Sequence, residues 1–223
     1  MFSPAIQALD LTKELGWGRL LRSPLQLGVW GLLEPMGIQN HAPQLCWIRP
    51  DLLGCVWMAG GGEGTAGMSV VMSLLEAGAP GWSGPQCISQ DEERSEQNPL
   101  LFVSEDQLHL IHSAQRVRAP ADRSWRQQGS SFSMQWTAVL RHQFLSLDCL
   151  QAADPNTWAA VAWSPAQVLM TEPGFCRHPP LAMQDGGWLL PIYRSLETGG
   201  SFGYDHSEVL PLNRFGQPHA EPI

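Results

Sequence analysis

One layout occurs three times along this chain: a proline, an apolar run, a short polar turn and a second apolar run. The first copy runs from His41-Ala42-Pro43 through Gln44–Ile48, turns at Arg49-Pro50-Asp51 and continues over Leu52–Met58. The second starts at Gln97-Asn98-Pro99, runs to Val103, turns at Ser104-Glu105-Asp106 and continues over Leu108–His112. The third starts at Arg177-His178-Pro179-Pro180, runs to Met183, turns at Asp185-Gly186-Gly187 and continues over Trp188–Tyr193. Two short apolar runs flanking a polar turn read as a β-hairpin, and a hairpin repeated at spacings of tens of residues points to a repeat architecture.

Further strand-like material follows each hairpin: Met68–Leu74 and Gln86–Ser89 in the first unit, then Ser133–Leu140 and either Trp158–Val161 or Ala166–Met170 in the second. Four strands per unit is the layout of a β-propeller blade. The expected fold is all-β: a propeller of about three to three and a half blades, incomplete. Residues 1–40 form an N-terminal segment and possible partial blade, with Leu25–Leu33 as one strand. The blades span residues 41–96, 97–176 and 177–223, the last unfinished. Arg116–Gln128 reads as an exposed loop insertion. The competing reading is three unrelated hairpins in a β-sandwich. Propellers close with four to eight blades, so three leave an open edge and an uncovered apolar flank. That predicts self-association through the open edge, or a chain that is one part of a longer propeller.

Composition agrees. Gly and Pro together make 40 of 223 residues, about 18% against a usual sum near 12%. That favours short strands and turns over long helices. Ten tryptophans suit packing between sheets or stacking on sugar rings. Lys13 is the sole lysine, net charge is −8, and no basic cluster exists, which excludes a nucleic-acid footprint. No apolar run is long enough for a membrane span. Met1–Leu20 lacks the basic start and apolar block of a signal peptide, which predicts a cytoplasmic location. Five cysteines without CxxC spacing argue against a disulfide framework and against a zinc site, and no cofactor or metal is expected.

Several motifs, taken in order, resemble bacterial sialidase-like proteins with neuraminidase (BNR) repeats. His41-Ala42-Pro43, Leu53–Trp57, Gly62-Glu63-Gly64 and Trp82-Ser83-Gly84-Pro85 resemble their opening blade. Glu93-Arg94 with Asn98-Pro99-Leu100-Leu101-Phe102 resembles the second. Arg177–Leu181, Gly187–Tyr193 and Phe202-Gly203-Tyr204-Asp205 resemble a later one. The match covers roughly residues 40–212. It implies a six-bladed propeller, here its N-terminal half, and a glycoside hydrolase of exo-sialidase type acting on an acidic glycan. Such enzymes use a tyrosine nucleophile with a partner carboxylate, an aspartate for the proton and three arginines on the substrate carboxylate. The chain departs from this pattern. His41 stands in the first arginine's slot, Thr65–Ser69 holds no acid, and the nucleophile of the family belongs to the late blades.

Inner strands of successive blades start beside a common axis, so His41, Asn98 and the Arg177-His178 pair, each just ahead of its proline, are expected to converge at one end of the channel. Polar groups kept ahead of apolar runs need partners or a site, since burying them unpaired is costly. The structural alternative is that they cap strand ends. Glu63, in a glycine-rich loop after a core strand, is placed to act as acid, base or acceptor of sugar hydroxyls, or else is a solvated loop charge. Arg94 is expected to clamp a carboxylate, against a surface ion pair within Asp91-Glu92-Glu93. Tyr204 and Asp205 follow a glycine-rich loop. The candidate catalytic residues are His41 (general acid/base), Glu63 and Tyr204. The candidate sugar-binding residues are Arg94, Asn98, Arg177, His178 and Asp205. Histidine suits hydrolysis or β-elimination from a uronic acid because it titrates near working pH. A histidine-dependent lyase, a non-catalytic glycan-binding propeller and a truncated remnant are the alternatives. His109 and His112 read as one strand face with a structural role.

Overall fold

The computed structural model of the protein describes residues 16–22, 28–117, 135–152, 158, 161–195 and 205–223. Three four-stranded antiparallel sheets follow one another along the chain, preceded by a two-stranded hairpin. The hairpin is β1 (Leu20–Arg22) with β2 (Val29–Gly31). Blade I is β3 (Gln39–Arg49), β4 (Leu52–Gly60), β5 (Ser69–Glu76) and β6 (Gln86–Ser89), paired in that order. Blade II is β7 (Arg94–Ser104), β8 (Gln107–Arg116), β9 (Val139–Ser146) and β10 (Gln167–Val168). In blade III, β11 (Phe175–Cys176) and β12 (Leu181–Ala182) are two pieces of one inner strand, both paired to β13 (Trp188–Arg194), which pairs with β14 (His206–Leu212). Val209 and Ile223 exchange both backbone hydrogen bonds at 2.9 Å, so the last residues run beside β14 where other blades carry an outer strand. These sheets do not close into a ring.

Local chemistry accounts for the strands and their turns. Glu105 and Asp106 both have positive φ, 49° and 58°, in the two-residue turn joining β7 to β8, as the right-handed twist of a hairpin favours. From His41 to Trp47 of β3 exposure alternates residue by residue, the mark of a strand with one covered face. The middle strands β4, β5 and β8 are buried on both faces, because each lies inside a stack.

The blades pack face to face. Ile48, Leu52, Val56, Val70 and Met72 of blade I meet Leu101, Leu108, Leu110 and Leu145 of blade II. Leu100, Phe102, Ile111 and Leu140 on the other face of blade II meet Cys176, Leu190, Ile192, Leu210 and Leu212 of blade III. Each large side chain so buried contributes about 1.5–3 kcal/mol. Polar bolts fix the register. The Gln44 amide donates to the Leu101 carbonyl (3.1 Å) and accepts from the Leu101 N–H (2.8 Å), satisfying a free edge of the next inner strand. Trp158 donates its indole N–H to Ser83 Oγ at 3.2 Å, again joining blade II to blade I. The β1–β2 segment lies against Trp82, and Trp82 with Leu33 packs on Cys55, Trp57, Ala59 and Val71 of blade I.

Two expectations change. The third strand of blade II is Val139–Ser146 rather than Ser133–Leu140; Gln135–Thr137 form a 3₁₀ turn ahead of it, and residues 133–134 lie outside the described set. His109 and His112 do not share a face. Three residues apart on a strand, they point to opposite sides, His109 stacking on Phe102 toward blade III and His112 meeting Glu96 toward blade I. Among the described residues no helix is long and apolar enough to cross a membrane.

Candidate functional site

The repeated prolines sit in a repeated backbone defect. In blade I, Ala42-Pro43 oppose the single residue Trp57; in blade II, Asn98-Pro99 oppose the single residue His112. In blade III the defect widens, with residues 177–180 opposite 190–191. These are β-bulges, which bend a strand and re-aim its side chains. Ala42 and Asn98 take nearly the same left-handed conformation, with φ of 54° and 51°. Proline fits here because it has no N–H to give the ladder. The register also shows an offset that the prolines conceal. His41 is equivalent to Gln97 and Cys176, while Asn98 is equivalent to Ala42.

All three bulges lie toward the same end of the arc. Residues 61–68, the loop after β4, reach over blade II: the Gly64 N–H donates to Ser95 Oγ (3.1 Å) and Met68 O accepts from the Glu96 N–H (3.0 Å). Gly60 permits this, because a Cβ there would stand 2.5 Å from the Gly67 carbonyl. The Cys176 thiol in turn donates to the Asn98 carbonyl at 3.3 Å, joining the second bulge to the third.

At this end stands a group of exposed polar side chains. His41 Nε2 lies 3.9 Å from Glu63 Oε2, and the Glu63 N–H donates to Gln39 Oε1 at 2.7 Å, which fixes the loop over the start of β3. Tyr193, on β13, stacks on Phe175 with ring centroids 5.4 Å apart. Burial pushes its phenol up to about 12, and the charges of Arg177, Asp205 and Glu63 all reach it, the cation opposing the shift and the two carboxylates adding to it. Asp205 Oδ1 accepts from Ser195 Oγ at 2.7 Å. His41 and Glu63 of blade I thus lie side by side, and the charges of Glu63, Arg177 and Asp205 reach the phenol of Tyr193 in blade III. A cation, two carboxylates, an imidazole and a phenol there make an arrangement able to hold a charged, hydroxylated ligand and to move a proton.

The other sequence candidates are placed differently. Arg94 is turned into blade II, where it donates to the Ala114 and Thr137 carbonyls at 2.8 and 3.0 Å. Burial lowers its guanidinium affinity for a proton, helped by neighbouring Arg141 and Arg116. Asn98 offers its backbone carbonyl to Cys176, and His178 is exposed in the wide bulge of blade III. Tyr204 lies outside the described residues. Tyr193 and Ser195 were not singled out from sequence. Tyr193 reads there as one more apolar strand residue, and only its register opposite Phe175 sets its ring against the Phe175 ring.

The sequence of residues 51–207 matches the family model described as BNR repeat-like domain. The chain belongs to that family. As a BNR repeat-like protein it has the sialidase-type β-propeller fold, and its solved structural neighbours agree. Trypanosoma rangeli sialidase in complex with the inhibitor DANA superposes with a TM-score of 0.57 at 9% identity, over 94% of this chain and 34% of the sialidase. A protein of unknown function from Dyadobacter fermentans gives 0.55 at 11% identity, over 82% and 54% of the two chains. The α-L-arabinofuranosidase of Lactobacillus brevis gives 0.53 at 12% identity, over 90% and 63%. The chain therefore spans about a third to under two thirds of the length of these neighbours. No curated protein sequence matches it.

The BNR repeat-like fold also encloses two polar clusters away from the opening. Glu96 Oε1 accepts from Ser89 Oγ (2.9 Å), His112 Nε2 (3.2 Å) and Arg141 (3.1 Å), and Arg141 also donates to Asp91 at 2.6 Å. Burial pushes the Glu96 carboxyl up, but His112, Ser89 and Arg141 outweigh it and hold it below the usual range. On the other face of blade II, His109 Nε2–H donates to the Ser104 carbonyl, so its Nδ1 accepts from His142 Nε2 at 2.9 Å. His142 Nδ1 accepts from Gln217 Nε2 at 2.9 Å. Gly216 lies against both rings, and a Cβ there would stand 2.9 Å from His142 Nε2. Among the described residues no group of three or more His, Cys, Asp or Glu side chains is disposed to hold a metal ion.

Proposed function

We propose that this chain is a sialidase-like, carbohydrate-active protein whose opening takes an acidic sugar and supports cleavage of its glycosidic bond. The observation that carries the reading is the His41–Glu63 pair (3.9 Å apart), supported by the charges of Glu63, Arg177 and Asp205 that act on Tyr193. In this reading Arg177 grips the sugar carboxylate with two parallel N–H bonds, and His178 lies beside it in the same bulge. Tyr193, Asp205 and, from outside the described residues, Tyr204 contact hydroxyls. His41 gives its proton to the glycosidic oxygen as the bond breaks and Glu63 steadies the resulting charge pattern. Water supplies the new anomeric hydroxyl and returns the proton. Arg94 and Asn98 support the frame through blade II and the second bulge.

A second reading, a glycan-binding propeller without turnover, is favoured by Tyr193. A phenol pushed up to about 12 by burial is a hydrogen-bond donor rather than a nucleophile. The test is a panel of fluorogenic glycosides (α-sialoside, β-glucuronide, α-L-arabinofuranoside) with calorimetric binding of the free sugars. Cleavage of an acidic glycoside, reduced about 10²–10⁴-fold in His41→Ala and with a raised KM in Arg177→Ala, supports hydrolysis. Binding of acidic sugars that His41→Ala leaves intact, with no turnover, gives the binding protein. Neither turnover nor binding overturns both. The neighbours named above include a sialidase bound to an inhibitor, which supports this reading.

A further inference from the structure

A cleft of about 390 Å³ lies between the outer strand of blade I and the outer half of blade II. That is the size of a small-ligand site. Gln86 and Cys87 of β6 wall it on the blade I side, and Gln143 of β9 with Trp158, Trp163 and Ser164 on the blade II side. None of them belongs to the opening that holds His41 and Glu63. Strand alternation places Gln143 here: Leu145, two residues on, packs into the core shared with blade I, so both face that blade. The walls are braced. Ser164 N–H donates to the Phe144 carbonyl (2.8 Å), and its hydroxyl accepts from the Phe144 N–H (2.9 Å). Trp158 commits its indole N–H to Ser83 of blade I. One group is left over. Gln143 is 7% exposed, and its Nε2 donates to the Ser164 carbonyl at 3.1 Å, while its Oε1 has no hydrogen-bond partner among the described residues. A buried acceptor without a donor is destabilising. Turning the amide over does not cure it, because Oε1 would then face the Ser164 carbonyl.

We propose that this cleft binds a neutral sugar ring, at a site separate from the opening. Charge decides against an acidic ligand. No Lys, Arg, Asp or Glu lines the cleft, and Arg141, on the same face of β9, is already committed to Glu96 and Asp91. What the walls present is two indoles, two side-chain amides and a hydroxyl. A pyranose answers both the apolar and the polar part of that lining. Its C–H face lies on the half-buried ring of Trp163. A ring hydroxyl beside Gln143 supplies the missing donor, met by a small turn about the soft terminal torsion of the glutamine. The half-buried Gln86 amide takes a further hydroxyl from the blade I side. A hydrocarbon would leave Oε1 without a donor, and an anion would find no cation. The cleft thus gives the protein a hold on the neutral part of a glycan. This inference stands on the cleft alone and not on what the opening binds or cleaves.

The test uses the full chain with methyl β-D-galactoside, methyl α-D-mannoside and N-acetylglucosamine, and glucuronate as the charged counterpart. Cys87 reports on the cleft, because its exposed thiol stands in the wall, and Cys149, exposed outside the lining, is the internal reference. Alkylation by iodoacetamide is followed at each thiol by peptide mass spectrometry. At least one neutral sugar should slow the reaction of Cys87 and leave that of Cys149 unchanged, with a Kd on the order of 1 mM for so small a ligand. Glucuronate should give no such protection. Trp163→Ala and Gln143→Met should each raise that Kd about tenfold, through the lost stacking face and the lost acceptor. The wild-type protection keeps the test decisive even if either variant fails to fold. Arg177→Ala, which alters the opening, should leave the protection of Cys87 as it was. No protection by any neutral sugar overturns the proposal. So does equal protection by glucuronate, an unchanged Kd in both cleft variants, or protection that disappears in Arg177→Ala. Glycoside turnover enters none of these readouts, so failure here leaves the reading of the opening untouched.

Discussion

The bulges of blades I and II are the same backbone device put to opposite uses. Each sets a residue–proline pair against one residue of the next strand, and each holds the first bulge residue at φ near +50°. In blade I the residue before the bulge is His41, open to solvent and 3.9 Å from Glu63. In blade II the equivalent Gln97 is buried and donates to Ser95 Oγ at 3.0 Å. The residue opposite the bulge differs in the same sense. Trp57 donates to the exposed Asn40, whereas His112 meets the fully buried Glu96. A propeller repeat thus conserves geometry without fixing chemistry. The blade covered on both faces turns its polar residues into internal bonds, and the flanking blades present theirs at the mouth.

This contrast is broken most directly by removing its buried carboxylate. Glu96→Ala takes the shared acceptor from Ser89, His112 and Arg141, leaving the buried His112 without its carboxylate and Arg141 with Asp91 alone. The expected loss is about 3–5 kcal/mol in urea unfolding. Asn40→Ala, at the equivalent position of blade I, removes bonds to Met36, Gly37 and Trp57 in an exposed turn and is expected to cost roughly 1–2 kcal/mol. Equal losses at the two positions would mean that the bulges do not differ in kind.

The histidine pair on the far face of blade II sharpens the contrast through pH. Burial, with the nearby His109 and His112, holds His142 at about 4, and burial also lowers His109. Every ring nitrogen of this pair is already committed as donor or acceptor, so an added proton breaks a bond in the chain from Gln217 to Ser104. The folded state therefore binds the proton less well than the unfolded chain. The stability this group contributes is complete above pH 6.5 and is lost as pH falls from 6.5 toward 4, by roughly 3 kcal/mol. Wild type should lose that much more stability than His142→Gln across the window, a difference in which the titration of the carboxylates cancels. A constant gap between the two proteins from pH 7 to 4 would show that the relay is not neutral.

The three hairpins were legible because period-two apolar runs and turn residues are local signals. The turn at Glu105-Asp106 falls where the sequence expects it. The family resemblance rested on the same segments and agrees with the family match over residues 51–207. What was not legible depends on register. Aligning prolines made His41, Asn98 and Arg177 look equivalent, yet a bulge inserts its extra residue at the proline, and His41 and Asn98 fall one place out of step. Arg94 reads as a carboxylate clamp or a surface ion pair because nothing local reveals the Thr137 carbonyl, 43 residues away in sequence, that accepts its hydrogen bond. Tyr193 escaped for the converse reason. An aromatic residue inside an apolar strand carries no local mark of the charges that tertiary packing brings to it.

The smallest effect concerns the bulge backbone itself. For a residue with a Cβ, the left-handed region costs roughly 1–2 kcal/mol, which asparagine offsets better than alanine. Ala42 at φ 54° therefore carries strain that Asn98 at 51° largely escapes. Ala42→Gly relieves that strain while giving the unfolded chain more freedom, about 0.5–1 kcal/mol in the opposite direction. The net expectation is a gain of up to about 1 kcal/mol, or about 2–4 °C in melting temperature for a chain of this length. Asn98→Gly should give no gain. The pair isolates conformation from contacts, because the register is shared and only the side chain differs. If Asn98→Gly stabilises as much as Ala42→Gly, asparagine gains nothing from its tolerance of positive φ. The two bulges would then be equally strained, whatever the side chain at the positive-φ position.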